Sequence, residues 1–90
     1  MIRVHLKIHG RVQGVFFRAH MQEKAQEFGL TGWVANNADG IVVAVVEGSE
    51  NNVNALVDWC HSGPTGSRVE KVEVEKLQYQ GEFEGFEIRY

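Results

Sequence analysis

The chain has 90 residues, 43% of them hydrophobic and 23% charged, and a formal net charge of −3. This balance argues against a disordered chain, and against a general nucleic-acid binder, which carries a basic surplus. No apolar run approaches the roughly 20 residues a membrane helix needs. The opening residues lack the apolar core of a signal peptide, and the single cysteine, Cys60, has no internal disulfide partner. The expectation is one domain spanning 1–90, in the cytoplasm, without a membrane or nucleic-acid partner.

The charge is unevenly spread. Residues 1–24 hold Arg3, Lys7, Arg11, Arg18 and Lys24 against the single acid Glu23. Six of the twelve acids (Glu70, Glu73, Glu75, Glu82, Glu84 and Glu87) fall in the C-terminal part. The N-terminal part is therefore locally positive, which suits a small anion better than a polyanion.

In chain order, residues 2–9 alternate as a strand. Ile2, Val4, Leu6 and Ile8 face one way, while Arg3, His5, Lys7 and His9 face the other. His5 and His9 lie about 13 Å apart at the usual strand rise, too far to chelate one metal. A helix is predicted over about 17–28, with Phe17, Met21, Ala25 and Phe28 as its buried stripe and Gly29 just past its end. Residues 31–37 read as a second strand. Asn36-Asn37-Ala38-Asp39-Gly40 then closes a hairpin onto a third strand, 41–46, apolar on both faces and so central.

Gly48-Ser49 ends that strand, and Ser49 or a nearby asparagine can cap a second helix over about 50–62. Val53, Leu56, Val57 and Cys60 form its buried stripe, making Cys60 structural rather than reactive. Gly63-Pro64 stops it. A fourth strand covers about 68–78, where Leu77 and Tyr79 are out of phase with Val72 and Val74, suggesting a bulge or bend. Residues 86–90 form a short last strand. The order β–α–β–β–α–β predicts an α+β, ferredoxin-like sandwich, an antiparallel sheet with two helices on one face.

One stretch carries chemistry. Gly10-Arg11-Val12-Gln13-Gly14-Val15-Phe16-Phe17-Arg18 joins the first strand to the first helix. Two glycines free its backbone for a tight turn. The helix start then presents unpaired amides and the positive end of its dipole, which favour an anion, phosphate above all. Arg18 stands at the same end with a forked donor set matched to phosphate oxygens. Such turns also serve as plain connectors, Arg18 could be a surface ion-pair arginine, and Asn36 could be a turn former bonded to its own backbone.

The fold plan hosts many functions. An RNA-recognition module would carry aromatics on its central strand, and Ile41–Val46 has none. A metal carrier would show Cys-x-x-Cys in the first loop. A non-catalytic module that binds a small anion or a partner protein stays open. For an enzyme, the neutral amide of Asn36, at the end of the second strand, could hold a water near Arg18. A weakly basic leaving group needs no strong general acid, so an acyl phosphate, which expels a carboxylate, fits such a site.

The Gly10–Arg18 stretch resembles the signature of the acylphosphatase family. A second family block is present as Gly32-Trp33-Val34-Ala35-Asn36-Asn37-Ala38-Asp39-Gly40, and the aromatic-rich end at Phe83, Phe86 and Tyr90 also fits. The resemblance covers essentially all 90 residues. It implies a small cytosolic hydrolase that splits acyl phosphates into a carboxylate and inorganic phosphate, with no cofactor and no metal; a monomer is expected. By the same resemblance, Arg18 is the catalytic arginine that grips the phosphoryl group. The backbone amides of Gly14, Val15, Phe16, Phe17 and Arg18 form the rest of the cradle, and Asn36 positions the attacking water. Related domains occur within larger hydrogenase-maturation proteins, and a free-standing chain of this length favours the stand-alone enzyme. The terminal carboxylate of Tyr90 is a further candidate for holding Arg18. No stretch reads as a pocket for the acyl group.

Overall fold

A computed structural model describes residues 1–90. The elements are β1 (Ile2–Arg11), α1 (Phe17–Glu27), β2 (Thr31–Asn36), β3 (Val42–Gly48), α2 (Glu50–Ser62), β4 (Arg68–Leu77) and β5 (Phe86–Arg89). The five strands form one sheet in the order β4-β1-β3-β2-β5. The strands β4, β1, β3 and β2 pair antiparallel, as the ferredoxin-like plan requires. The sheet is nevertheless mixed, because β5 lies parallel to β2, with Val34 opposite Ile88 and Ala35 opposite Arg89. This pairing decides the site, since it carries the end of the chain to the end of β2.

Alternation along the strands sorts the two faces. Val4, Leu6, Ile8, Val34, Val42, Ala44, Val46 and Phe86 pack against Phe17, Met21 and Ala25 of α1 and Val53, Leu56 and Cys60 of α2. The Phe17 ring meets Trp59 of α2 at 5.3 Å between centroids, tilted by 57°. Helix α2 begins where Ser49 accepts a hydrogen bond from the Asn52 amide. Cys60 is buried in the core, and burial pushes its thiol up to about 12, so the thiolate is suppressed at neutral pH.

The opposite face holds a partly buried ionic cluster around Glu47. Arg3 and Glu47 are paired in register, and the Arg3 guanidinium reaches Glu47 at 3.1 Å and Glu82 at 2.7 Å. Glu47 is only 2% exposed, and its Oε2 also accepts from the Gln80 and Gly81 amides. Burial alone would raise the Glu47 carboxyl. The Gln80 amide, Arg3 and the Gly81 amide outweigh it and hold the group below its ordinary value.

Two sequence expectations change. Gly10 lies within β1 rather than in the turn after it. The β1–β4 register shifts there, so that His9 faces Lys71 and Gly10 faces Val69, leaving Glu70 as the extra residue. A Cβ on Gly10 would overlap the Arg68 carbonyl, so glycine is required by close backbone approach, and the left-handed turn falls to Gly14 at φ 74°. The bulge expected near Leu77 is absent. Leu77 pairs with Arg3 on the open face, Val74 with Leu6 on the helix face, and β4 is a largely exposed edge strand ending before Tyr79.

Candidate functional site

The loop between β1 and α1 is built around two left-handed residues, Gly14 and Phe16. Phe16 is the notable one, at φ 60° and ψ 28°. A non-glycine aromatic in this region carries about 1–2 kcal/mol of strain. Its carbonyl is held twice, by the His20 amide at 3.1 Å and by the His20 ring, whose Nδ1 donates at 2.9 Å. Its amide has no internal acceptor.

The same is true of its neighbours. The amides of Gly14, Val15 and Phe16 donate to no protein acceptor, and the first α1 bond is that of the His20 amide. Helix α1 has no side-chain N-cap and no acid in its first turn. A run of free N–H groups therefore meets the positive end of the helix dipole, with no internal carboxylate to neutralise it.

Arg18, the second residue of α1, makes no ion pair. Its guanidinium lies 5.0 Å from the centre of the Tyr90 ring. The reading of Arg18 as a surface ion-pair arginine thus finds no partner acid. No ion pair joins Arg18 to the terminal carboxylate either; the contact that forms is made by the ring. Asn36 ends β2 opposite Val42. Its side chain bonds neither its own backbone nor any other group, so the turn-former reading also lacks its bond.

These pieces share one pocket of about 420 Å³. Gly14, Phe16, Phe17 and Arg18 line it from the loop and α1, Asn36 from β2, and Ile88 and Tyr90 from β5 and the residue after it. Val15 is not on its wall and instead packs against the core. No Asp, Glu or His side chain lines it. No group of three or more His, Cys, Asp or Glu side chains anywhere in the molecule is arranged to hold a metal ion.

Two residues at the site were not evident from sequence. Gln13 donates from Nε2 to the Asn37 carbonyl at 2.8 Å and the Ile41 carbonyl at 2.9 Å, tying the loop to the β2–β3 turn. His20 fixes the Phe16 carbonyl. Nothing in residue type or spacing marks either, because both act by bonds to backbone that only the tertiary fold brings near.

The acylphosphatase family model matches residues 4–88. An acylphosphatase of Geobacter sulfurreducens is 49% identical over 89 residues, covering 99% of this chain and 98% of that protein. The crystal structure of acylphosphatase from Bacillus subtilis superposes with a TM-score of 0.96 at 34% identity, covering all of both chains. The T. kodakarensis HypF structure also matches, with a TM-score of 0.86 at 30% identity, but there the match spans 12% of the larger chain. With a model match over nearly the full length, and relatives this close over their whole length, the chain belongs to the acylphosphatase family.

Proposed function

We propose that this protein hydrolyses acyl phosphates to a carboxylate and inorganic phosphate, without a metal or cofactor. The observation that carries the reading is the meeting of free loop amides, an unpaired Arg18 and an unpaired Asn36 in one pocket. Family membership points the same way.

In this mechanism the amides of Gly14 to Arg18 and the Arg18 guanidinium bind the phosphoryl oxygens and take up the charge that builds on them. The Asn36 carboxamide oxygen accepts a hydrogen bond from a water and orients a lone pair of that water toward phosphorus. A bond forms between the water oxygen and phosphorus while the bond from phosphorus to the acyl oxygen breaks. The carboxylate leaves with the electron pair and needs no proton. The water's proton passes to a phosphoryl oxygen, and no Asp, Glu or His side chain lines the pocket to compete for it. Catalysis then rests on positioning and electrostatics.

We also infer a cytoplasmic monomer forming one domain; the unpaired Cys60 accords with the reducing compartment. The test of the reaction is release of inorganic phosphate from acetyl phosphate with EDTA present. Turnover above the uncatalysed rate is expected. A folded protein that binds inorganic phosphate by calorimetry yet turns over no acyl phosphate would instead make the cradle a recognition site of a non-catalytic module.

A further inference from the structure

We propose that His20 is a positioning residue for the phosphate cradle: its ring N–H fixes the Phe16–Phe17 peptide so that the Phe17 amide stays aimed at the phosphoryl group. The inference rests on the acyl-phosphate reading above and deepens it by naming what holds the donors in place.

Phe16 adopts a conformation that its own side chain does not explain. Its backbone is left-handed, at φ 60° and ψ 28°. Its ring is 78% exposed, so core packing does not hold it there. Helix α1 also starts without a side-chain cap. A backbone of this kind persists only where the surrounding structure over-determines it.

Two bonds meet at the Phe16 carbonyl, both from His20. The His20 backbone amide donates at 3.1 Å, which is the ordinary first bond of the helix. The imidazole adds a second bond at 2.9 Å. A carbonyl offers no proton, so Nδ1 carries the hydrogen. The ring is exposed and does not line the pocket. Neither core packing nor contact with the substrate accounts for its placement.

The second bond holds a peptide plane. The Phe16 carbonyl and the Phe17 N–H belong to one trans unit, in which they point in opposite directions. A carbonyl drawn along α1 toward His20 therefore directs the Phe17 N–H out of the helix start. That N–H has no internal acceptor, and Phe17 lines the pocket beside Arg18. A single bond leaves the plane free to tilt about it, and a second donor on the same oxygen removes that freedom. Donors fixed before the substrate arrives need no reorganisation as charge develops on the phosphoryl oxygens.

The experiment compares His20→Ala and His20→Asn with the wild type. Asparagine places a side-chain N–H as many bonds from the backbone as Nδ1, without the ring. The readouts are kcat/KM for acetyl phosphate and the affinity for inorganic phosphate by calorimetry, with folding checked by urea denaturation. In His20→Ala, kcat/KM should fall about tenfold, less than the ~10²–10³-fold of losing a donor outright, and phosphate affinity about fivefold. His20→Asn should recover both to within about twofold of wild type. Wild-type values of both in His20→Ala overturn the proposal. So does a folded His20→Asn protein as impaired as His20→Ala, which would assign the effect to the ring rather than to its donor. A folded wild type that turns over no acetyl phosphate would overturn the acyl-phosphate reading itself, and the phosphate affinities alone would still decide the role of His20.

Discussion

The side-chain amide of Gln13 donates to the carbonyl of Asn37 at 2.8 Å, and the same nitrogen reaches the Ile41 carbonyl at 2.9 Å. The loop that presents the free amides is thereby fixed to the turn that follows Asn36. One residue sets the spacing between the two halves of the site.

Gln13→Ala should cost about 1 kcal/mol of stability, the usual net worth of such bonds. It should lower kcat about tenfold while leaving inorganic-phosphate affinity nearly intact, because the amides survive and only their placement relative to Asn36 loosens. Gln13→Glu should be worse than alanine, since it sets a carboxylate against two carbonyls. Steady-state kinetics and phosphate calorimetry on both variants check this.

The two glycines of the signature should separate in a stability measurement. Gly10→Ala drives a Cβ into the Arg68 carbonyl of the neighbouring strand and should cost about 3 kcal/mol or more. Gly14→Ala meets nothing within 4 Å and bears only the left-handed penalty of about 1–2 kcal/mol. Urea denaturation of the two variants reads the difference directly.

Acid should act through Glu47. Its carboxyl lies below its ordinary value of 4.5, so the folded state binds its proton less readily than the unfolded chain. The stabilisation is therefore fully present above that ordinary value and is lost as pH falls through the lower folded-state value. Glu73, hydrogen-bonded by His9 and near Lys71, shifts the same way on the surface. Glu47→Gln should lose about 1.5–3 kcal/mol at pH 7, because the bonds from Arg3 and the Gln80 and Gly81 amides lose their charged acceptor while Arg3 keeps Glu82, and the gap to wild type should narrow as the pH is lowered toward 3. Denaturation midpoints across that range test the sign.

Tyr90 offers a milder effect. Its ring lies 5.0 Å from the Arg18 guanidinium, a contact worth about 0.5–1 kcal/mol at an exposed site. Tyr90→Phe should keep the activity toward acetyl phosphate, and Tyr90→Ala should lower it by about two- to fivefold. Equal loss in both would assign the effect to the hydroxyl instead.

Much of this architecture was legible in the sequence, for local reasons. The stripe from Phe17 to Ala25, the Ser49 cap and the doubly apolar strand at Val42–Val46 follow from periodicity and capping, and the structure has them where expected. Arg18 and Asn36 could be singled out because each stands where an element starts or ends, and both line the pocket. What was hidden was non-local. The parallel partner of a four-residue strand is not written in that strand, so the mixed sheet was missed, and Tyr90, expected near Arg18 through its carboxylate, meets it through its ring instead. Gly10 carries the same residue type for a turn as for a close approach. The left-handed Phe16 runs against its residue preference, and only the surrounding bonds from His20 account for it.

The most direct test of the account is hydrolysis of benzoyl phosphate with EDTA present, alongside inorganic-phosphate binding, in wild type, Arg18→Ala and Asn36→Ala. Arg18→Ala should lose ~10²–10³-fold or more in rate and also lose phosphate affinity. Asn36→Ala should lose rate on a similar scale while its phosphate affinity stays within about threefold of wild type. Wild-type turnover in Asn36→Ala, or wild-type phosphate affinity in Arg18→Ala, would contradict the roles assigned to these two residues.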